Sequence, residues 1–186
     1  MPRGLSSTDG RELLRVERDV AARFRDAGIE HEVDLTSTAA VANVFRVASA
    51  ARAHLERSVL AARELSFTAF TVLWVLWVWG EMEFRDLARE TGVAKGTLTG
   101  VLRTLEGREL VARRRHVRDR RLVLVSCTPT GEELMIELFP RFNGGESRLV
   151  SGLTPAETRR LAQLLRQVLR TIEALEPPEV EGQLRA

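Results

Sequence analysis

The sequence predicts a mainly helical α+β fold, and three observations carry this prediction. Most of the chain places apolar residues at spacings of three and four, which is the period of an amphipathic helix. Capping residues, glycines and prolines divide these stretches into lengths typical of globular helices. One segment departs from the helical period, because residues 111–115 and 122–127 are predicted as two short strands joined by a charged tip.

Composition places the chain among globular proteins that bury a core. It has 186 residues, of which 44% are hydrophobic and 29% charged, and a net charge of +2. The single cysteine, Cys127, excludes an internal disulfide, suits a reducing cytoplasm and is expected in the core. Residues 1–10 lack the apolar segment of a signal peptide, and the apolar run 69–79 is shorter than the roughly 20 residues that span a bilayer. We therefore expect a cytoplasmic protein with no membrane role.

Two helices are predicted in the first third of the chain. The first covers residues 9–27, with Ser7 or Thr8 as its cap, and ends at Gly28. The second covers residues 38–63 and is rich in alanine, which permits close approach of another helix. Their apolar stripes are Leu13, Val16, Val20, Phe24 and Ala27 in the first, and Val41, Val44, Ala48, Ala51, Leu55 and Val59 in the second.

The next predicted helix is short and apolar on all sides. Ser66 precedes it as an N-cap and Gly80 follows it as a stop, so residues 66–79 are expected to form a helix buried on every side. Two shorter helices follow at about residues 84–91 and 94–106, separated by a glycine-containing turn. The two predicted strands come directly after them.

The C-terminal third returns to the helical period. A helix over residues 129–142 is predicted to be interrupted by Pro140 and by the glycine pair at 144–145. The last helix covers residues 154–175 and begins with Thr-Pro-Ala-Glu, which combines a cap, a proline at the first helical position and a capping box. Residues 177–186 are expected to fray.

The helix predicted over residues 94–106 has two contrasting faces. Leu98, Val101, Leu102 and Leu105 form the apolar face. The opposite face consists of Lys95, Gly96, Thr97, Thr99, Gly100, Arg103 and Thr104. It has no acidic residue, as is typical of a surface that meets phosphates and base edges. Each of its two glycines costs roughly 1 kcal/mol of helix stability, which suggests that something large approaches the backbone closely. Taken alone, the segment also fits an ordinary surface helix.

The segment "RRRHVRDRR", residues 113–121, concentrates six arginines around one aspartate. A hairpin that directly follows a recognition helix is the wing of a winged helix-turn-helix, and an arginine-rich tip suits phosphates or a narrow minor groove. Asp119 is expected to pair bidentately with an arginine across the hairpin and so to brace the tip. The alternative is a solvated turn. Lys95 is the only lysine in the chain, a bias that either DNA recognition or genome composition would produce.

These segments resemble the multiple-antibiotic-resistance regulator (MarR) family of winged-helix transcription factors. The resemblance rests on "FRDLARETGVAKGTLTGVLRTLEGRELVARR", "RDRRLVLVSCTPTGEEL" and "LTPAETRRLAQLLRQVL", and it spans about residues 39–175. It implies a homodimer whose N- and C-terminal helices interlock, two winged-helix lobes over a pseudo-palindromic operator, and a ligand pocket between them. By motif match, Thr97, Thr99 and Arg103 lie where the family reads the major groove, and Asp119 and Arg121 lie where it has its wing aspartate and minor-groove arginine.

The resemblance sets a division of the chain and a set of DNA-contacting residues. The predicted parts are an N-terminal extension with a dimerisation helix (1–64), a winged helix-turn-helix lobe (65–128), C-terminal dimerisation helices (129–176) and a flexible tail (177–186). The predicted DNA contacts are Lys95, Thr97, Thr99, Arg103, Arg115, Arg118, Arg120 and Arg121. Asp119 is predicted to brace the wing.

Four departures from the family pattern limit what the resemblance implies. Gly100 stands where many members carry an arginine, so base recognition is expected to rely more on the wing. Gly107 and Glu109 shift the usual glycine after the recognition helix and leave the end of that helix open. The chain lacks the N-terminal reactive cysteine of the peroxide-sensing branch. Thr71 stands where the urate-binding branch has an acidic residue, and the first helix has no tryptophan, so urate is not predicted.

A ligand pocket is predicted from aromatic residues at helical spacing. Trp74 and Trp77 are three positions apart, and with Arg46 and His54 of the long helix they would line a site for an aromatic carboxylate whose acid group pairs with the arginine. The alternatives are core tryptophans and a histidine with no special role.

The sequence therefore predicts a ligand-responsive, homodimeric DNA-binding regulator, with repression as the expected effect. Its partners would be double-stranded DNA, a second copy and a small effector, without a cofactor or metal. A ligand- or protein-binding adaptor with little operator specificity is the alternative. An enzyme is not predicted, because the three histidines lie far apart and the chain has neither a glycine-rich phosphate loop nor a Cys/His metal spacing.

Overall fold

Seven α-helices and one three-stranded sheet form the parts of the chain that the computed structural model describes, residues 14–117, 119 and 121–175. This confirms the predicted fold class. The helices are α1 Arg15–Asp26, α2 Leu35–Leu55, α3 Phe67–Trp79, α4 Phe84–Thr91, α5 Lys95–Gly107, α6 Pro129–Leu149 and α7 Pro155–Leu175, and the strands are β1 Met82–Glu83, β2 Val111–Arg115 and β3 Val123–Cys127. The chain forms two compact units that divide between Arg57 and Ser58. The predicted division into residues 1–64, 65–128, 129–176 and 177–186 stays a prediction.

In the first unit, α1 begins later than the apolar period predicts. Leu14 has extended backbone, and its N–H donates to the Glu17 carboxylate at 2.7 Å, which satisfies a free donor at the start of the helix. The predicted helix is therefore not continuous through Leu14, and its predicted start at residue 9, with Ser7 or Thr8 as the cap, lies outside the described residues. Gly28, with a φ of +72°, ends the helix as predicted.

The long second helix begins earlier than predicted and changes type near its end. Asp34 Oδ1 accepts the backbone N–H groups of Thr36 and Ser37 at 2.9 and 3.1 Å, so Asp34 caps a helix that begins at Leu35. After Leu55 the backbone continues as a π-helical turn and then as a 3₁₀ turn that ends at Arg63, the predicted end. The spacing of apolar residues does not distinguish these irregular turns from a regular α-helix, so the sequence did not predict them.

In the second unit, α3 is the central core helix. Ser66 Oγ accepts the Ala69 N–H at 3.1 Å and Gly80 follows at a φ of +77°, so both predicted ends are confirmed. Its buried residues are Ala69, Phe70, Val72, Leu73, Val75 and Leu76. The expectation of burial on every side is wrong for the last turn, where Val78 and Trp79 are 46% and 54% exposed.

No single helix among the described residues has the length and hydropathy to span a membrane. Only a bent pair of consecutive helical segments, residues 35–63 and 67–79, meets that requirement when the two are taken together. Six of the thirteen residues of the second segment are buried in the core.

The sheet contains one strand that the sequence does not predict. β1 pairs antiparallel with β3, Met82 opposite Val125, and β3 pairs with β2 from Val111 opposite Cys127 to Arg115 opposite Val123. The strand order is therefore β1-β3-β2. A strand of two residues is too short to display an alternating pattern, which explains why β1 was not predicted.

The helix α6 is continuous where an interruption was predicted. It passes through Pro140 and both following glycines and ends at Leu149. The helix buries Met135 and Leu138 before the proline and Phe142 after it, and this packing maintains the helical path. Pro140 lies on the exposed face next to Ile136, so the Ile136 carbonyl that lacks a helical N–H partner can be hydrated.

The last helix, α7, begins as predicted and leaves its apolar stripe exposed. The Thr154 N–H and hydroxyl both donate to the Glu157 carboxylate at 2.8 Å, which closes the predicted capping box. None of the residues of α7 is buried. The apolar residues Leu161, Leu164, Leu165, Val168, Leu169, Ile172 and Leu175 are between 39% and 78% exposed.

Candidate nucleic-acid interface

Two short helices and the turn between them build the first part of the site. α4 ends at Gly92, which has a φ of +64°, and α5 begins three residues later. Both helices pack against α3. α5 inserts Leu98, Leu102 and Leu105 completely into the core. Because these three residues fix the rotation of α5 about its axis, they also determine which side chains it presents to solvent.

The outward face of α5 is the polar face that the sequence predicts. All seven of its residues are exposed: Lys95, Gly96, Thr97, Thr99, Gly100, Arg103 and Thr104. The Thr99 hydroxyl donates to the Lys95 carbonyl at 2.9 Å, so its lone pairs remain available to accept a hydrogen bond from outside. Nothing in the described structure lies within 4 Å of where a Cβ of Gly96 or Gly100 would stand. Internal packing therefore does not account for either glycine.

The structure resolves the end of α5, which the sequence left open. The helix ends at Gly107, and Glu109 adopts a φ of +57°, the left-handed conformation that a glycine would take more easily. Between them, the Arg108 guanidinium donates to the carbonyls of Arg63 and Glu64 at 2.9 and 3.1 Å. Arg108 thus joins the end of the recognition helix to the 3₁₀ turn. Nothing in the sequence distinguished this arginine from its neighbours.

At the root of the hairpin, two arginines are bound to acidic partners on opposite faces of β2. Arg113 pairs with Glu106 in the last turn of α5. Arg114 pairs through both Nε and Nη2 with the carboxylate of Glu81, with 2.7 Å between Nε and Oε2. The hydrogen bond from Arg114 lowers the pKa of Glu81 below its ordinary value, and the hydrogen bond to Glu106 raises that of Arg113. We call Arg113 and Arg114 the root arginines.

The motif Thr-x-x-Gly after β3, residues 128–131, connects the root of the hairpin to the start of α6. The Thr128 hydroxyl donates to the Glu109 carbonyl, and the Thr128 N–H donates to the Leu110 carbonyl at 3.1 Å. A Cβ on Gly131 would stand 2.1 Å from the Leu110 carbonyl oxygen, so only glycine fits here. Both motif residues therefore hold the connection between α5 and β2.

At the tip of the hairpin, the aspartate is bound locally. Asp119 Oδ1 accepts the backbone N–H of Arg121 at 3.0 Å and its Nε at 3.2 Å, and the Asp119 N–H donates to His116 Nδ1 at 3.2 Å. The N–H and guanidinium of Arg121 lower the pKa of Asp119. Among the described residues, the bidentate pair expected across the hairpin is not formed. The Asp119 carboxylate instead binds Arg121, because the tight turn brings it to the residue two positions later.

The remaining arginines of the segment are placed differently from the root pair. Arg115 and Arg121, which we call the tip arginines, are both exposed. Arg118 and Arg120 lie outside the described residues. Among the described arginines of this segment, the root pair is therefore bound to glutamates of other elements and the tip pair is exposed.

The four predicted ligand residues divide between the two units. In the first unit, Arg46 lines a cleft between α1 and α2, and His54 is exposed. In the second unit, Trp74 packs edge-on against Trp79 with ring centroids 5.3 Å apart, and Trp77 packs on Phe139 at 5.6 Å. Both tryptophans retain partial exposure. Their combination with Arg46 and His54 in one pocket stays a prediction.

Cys127 has the properties of a structural thiol. It is partly buried, its Sγ lies 3.7 Å from the Leu73 carbonyl oxygen, and burial raises its pKa to about 11. A thiol with this pKa carries little thiolate at neutral pH and is a poor nucleophile. In the described ranges, no group of three or more His, Cys, Asp or Glu side chains could hold a metal ion.

Comparison with known proteins agrees with the geometry. Residues 65–123 match the model of the MarR family. An uncharacterized HTH-type transcriptional regulator of Bacillus subtilis, YwaE, is 36% identical over 157 residues, which cover 84% of this chain and 91% of the relative. HTH-type regulator TtmR of Methylorubrum extorquens is 33% identical over 121 residues, covering 63% of this chain and 60% of that protein.

Two solved structures share the fold and concern DNA binding. BpsR of Bordetella bronchiseptica, whose DNA binding is regulated by 6-hydroxynicotinic acid, is 29% identical with a TM-score of 0.65, over 69% of this chain and 97% of that one. A mutant MarR of E. coli in complex with operator DNA is 26% identical with a TM-score of 0.61, over 68% and 90% of the two chains. The family and these relatives are transcriptional regulators rather than enzymes. The chain belongs to the MarR family of winged-helix, DNA-binding transcriptional regulators.

Proposed function

We propose that this regulator is a homodimeric repressor that binds a pseudo-palindromic operator with α5 and the wing, and that a small anionic ligand modulates its binding. One observation carries the proposal. The exposed face of α5 has no acidic residue, and it adjoins a hairpin whose root is held by ion pairs and whose tip directs arginines to solvent. This combination supports a rigid frame that presents cations to a phosphate backbone.

The two parts of the interface would read different features of DNA. Lys95, Thr97, Thr99 and Arg103 would enter the major groove, with Arg103 as the strongest hydrogen-bond donor to a base edge. The tip arginines Arg115 and Arg121, together with Arg118 and Arg120, would reach phosphates or the minor groove. Asp119 would hold the tip in the conformation that binds. Gly96 and Gly100 would let the backbone of α5 approach the groove closely.

Dimerisation is supported by α7. Leu161, Leu165, Val168, Ile172 and Leu175 follow a four-three spacing, and Leu164 and Leu169 widen this stripe on both sides. An exposed apolar stripe of this width is typical of a helix that packs against more than one neighbour. A second copy is the occupant that matches a pseudo-palindromic operator, because both then share two-fold symmetry.

A ligand effect is supported by the regulator BpsR, which responds to an aromatic carboxylic acid. Arg46 and His54 on α2 and Trp74 and Trp77 on α3 are the candidate ligand residues. An aromatic carboxylate should quench tryptophan fluorescence saturably and weaken operator binding, and DNA must then weaken ligand binding by the same factor. Quenching without any change in operator affinity would reject a regulatory role for the site.

The DNA-binding proposal is tested with the DNA upstream of the gene itself. Fluorescence anisotropy at several salt concentrations should show a sequence-preferring complex with two chains per operator. Arg103→Gln should lower operator affinity by about tenfold and relax base preference. Arg148→Gln, which removes the same charge from an exposed position on α6, serves as the matched control and should leave operator affinity unchanged.

The dimer proposal is tested by sedimentation equilibrium. The wild-type chain should be a dimer at micromolar concentration, and the double variant Leu165→Glu/Ile172→Glu should not be. Gln163→Glu/Gln167→Glu adds the same two charges to the opposite side of α7 and should remain dimeric. A well-folded wild-type monomer would exclude dimerisation through α7.

An adaptor with little operator specificity is the second candidate. The observation that favours it is Gly100, because the exposed centre of α5 lacks a side chain there. Uniformly weak binding to any DNA, with a normal salt dependence, would support the adaptor and reject the operator-specific repressor.

A further inference from the structure

The C-terminal end of α5 is held from two sides by hydrogen bonds within the second unit. Arg108, the residue directly after the helix, donates from Nη2 to the Arg63 carbonyl at 2.9 Å and from Nη1 to the Glu64 carbonyl at 3.1 Å. The next residue, Glu109, accepts the Thr128 hydroxyl at its carbonyl oxygen. We call these three hydrogen bonds the α5 clamp. Because the guanidinium is planar and rigid, two bonds from it fix direction as well as distance.

The 3₁₀ turn that receives Arg108 is itself attached to another helix. The Arg63 side chain forms an ion pair with Glu137 of α6, and Arg141 Nη2 lies 3.6 Å from the same carboxylate oxygen. Arg63 therefore accepts a hydrogen bond from Arg108 through its backbone and binds α6 through its side chain. Arg108 thus connects the end of α5 to a turn that α6 holds in place.

The backbone is strained at both ends of the α5 clamp. Glu64 and Glu109 have φ values of +51° and +57°, and they are the two non-glycine residues with positive φ in the described ranges. A glutamate stays in this conformation only where its surroundings enforce it. The carbonyls of both residues accept hydrogen bonds of the clamp. The contacts that hold α5 therefore also hold the two strained residues.

Arg108 is engaged in a way that disfavours a direct contact with DNA. Its side chain is partly buried, and each of its terminal nitrogens donates to a carbonyl. Binding a phosphate would require it to exchange these bonds for new ones, so the net gain would be small. The exposed tip arginines face no such exchange with the backbone of another element.

We propose that Arg108 is a positioning residue for DNA binding. It holds the end of α5 at a fixed distance from the 3₁₀ turn, so that the exposed face of the helix enters the groove at one depth and angle, and it does not touch DNA itself. The proposed function assigns Arg108 no role. The proposal rests on that function only for the operator that serves as the probe.

The first test measures the operator affinity of Arg108→Met at several salt concentrations. Affinity should fall by about tenfold, the loss expected when one more residue must be ordered on binding. The slope of log affinity against log salt should stay that of the wild type, because no phosphate contact is removed. Arg108→Lys, which keeps a donor for the two carbonyls, should lose less. Arg148→Met removes the same charge from an exposed position on α6 and should bind like the wild type.

The second test measures amide hydrogen exchange without DNA. The N–H groups of Arg108, Glu109 and Leu110 bond within the end of α5, and those of Glu64 and Leu65 bond within the 3₁₀ turn. In Arg108→Met both sets should exchange about tenfold faster, while amides in the middle of α3 should keep their rates. An equal increase in α3 would indicate a general loss of stability and would overturn the clamp, as would unchanged rates in both sets.

The third test is a double-mutant cycle on operator affinity. Arg63→Met removes the attachment of the turn to α6 and should weaken binding by less than Arg108→Met does. If the turn acts only through Arg108, the double variant should bind like Arg108→Met alone. Additive losses would overturn the proposal, and so would a reduced salt slope in Arg108→Met, which would make Arg108 a phosphate contact. Uniform binding of the wild type to all DNA would reject the operator-specific function, and Arg108→Met would then be judged by the same comparison on that DNA.

Discussion

The root and the tip of the hairpin have the same arginine-rich sequence and different partners. At the root, the Arg113 side chain is 32% exposed and bound to Glu106, and Arg114 is bound to Glu81. At the tip, the Arg121 side chain is 92% exposed and, among the described residues, pairs with Asp119, two positions away. The comparison shows that the arginines of a wing cannot simply be counted as DNA contacts, because some of them are held by acidic residues of the protein. Some of them are bound to acidic residues of other elements and others are exposed to solvent.

The same division explains how a chain of net charge +2 can offer a strongly basic surface. The root arginines are neutralised by glutamates of α5 and of the segment before β1, so they add rigidity and little net field. The exposed cations of α5 have no acidic residue on the same face of that helix, and Arg121 at the tip pairs with Asp119 while its side chain stays 92% exposed.

The largest expected effect concerns the attachment of the root. In Gly131→Ala the new Cβ would stand 2.1 Å from the Leu110 carbonyl oxygen, so the backbone must move, at a cost of about 1–3 kcal/mol in the free energy of unfolding. Gly144→Ala in the same helix meets nothing within 4 Å and should stabilise by up to about 1 kcal/mol. Urea denaturation measures both. Equal stabilities for the two variants would show that the packing of α6 against the root is dispensable.

The next effect concerns the tip arginines. Arg115→Ala/Arg121→Ala should lower operator affinity by roughly 1–3 kcal/mol, and the slope of log affinity against log salt should decrease by about one unit for each phosphate that the variant no longer binds. Stability should change by less than about 0.5 kcal/mol. Arg114→Gln removes a root arginine and should leave the salt slope unchanged. A similar decrease of slope in both variants would abolish the distinction between root and tip.

Asp119→Ala tests whether the tip is braced. Charge counting predicts tighter DNA binding, because the variant is more positive. The bracing geometry predicts weaker binding, by up to about tenfold, since the loop must be ordered on binding, and it predicts a preserved salt slope. Asp119→Asn retains an oxygen that accepts the Arg121 N–H and should bind more tightly than Asp119→Ala. Stronger binding by Asp119→Ala would contradict the brace.

The pKa of Asp119 gives the pH range of this test. Its folded value is lowered below 3.8, so the brace is fully present above the unfolded value and is lost only as pH falls through the lowered one. Operator affinity measured between pH 6 and 8 is therefore independent of this titration, and wild type and Asp119→Ala should differ by the same factor throughout that range.

The smallest expected effect concerns the pair of Glu81 and Arg114. Both side chains are partly exposed, so solvent screens their attraction and each single substitution to Gln should lower the melting temperature only slightly. The double variant Glu81→Gln/Arg114→Gln should melt close to either single variant, because both remove the same interaction. Fully additive losses in a thermal double-mutant cycle would mean that the pair does not act as a unit.

Several elements were predictable because their signals are local. The ends of α3 follow from Ser66 and Gly80, and the start of α7 follows from its capping box. The two faces of α5 follow from the 3.6-residue period and agree with the burial of Leu98 and Leu102. The late start of α1 was missed because its apolar stripe begins before Leu14, and the period marks which residues can pack rather than where the cap lies.

The sequence by itself determined the helical content, the recognition-helix faces, the hairpin and the family, because backbone propensity, capping and hydrophobic period act over a few residues. Only the tertiary structure decided the partners of Arg108, Arg113 and Arg114, the continuity of α6 through Pro140 and the pairing of β1. These features depend on which groups approach from distant parts of the chain. Side chains identical in sequence acquire different roles when an acidic partner from another element reaches one of them and solvent reaches the other.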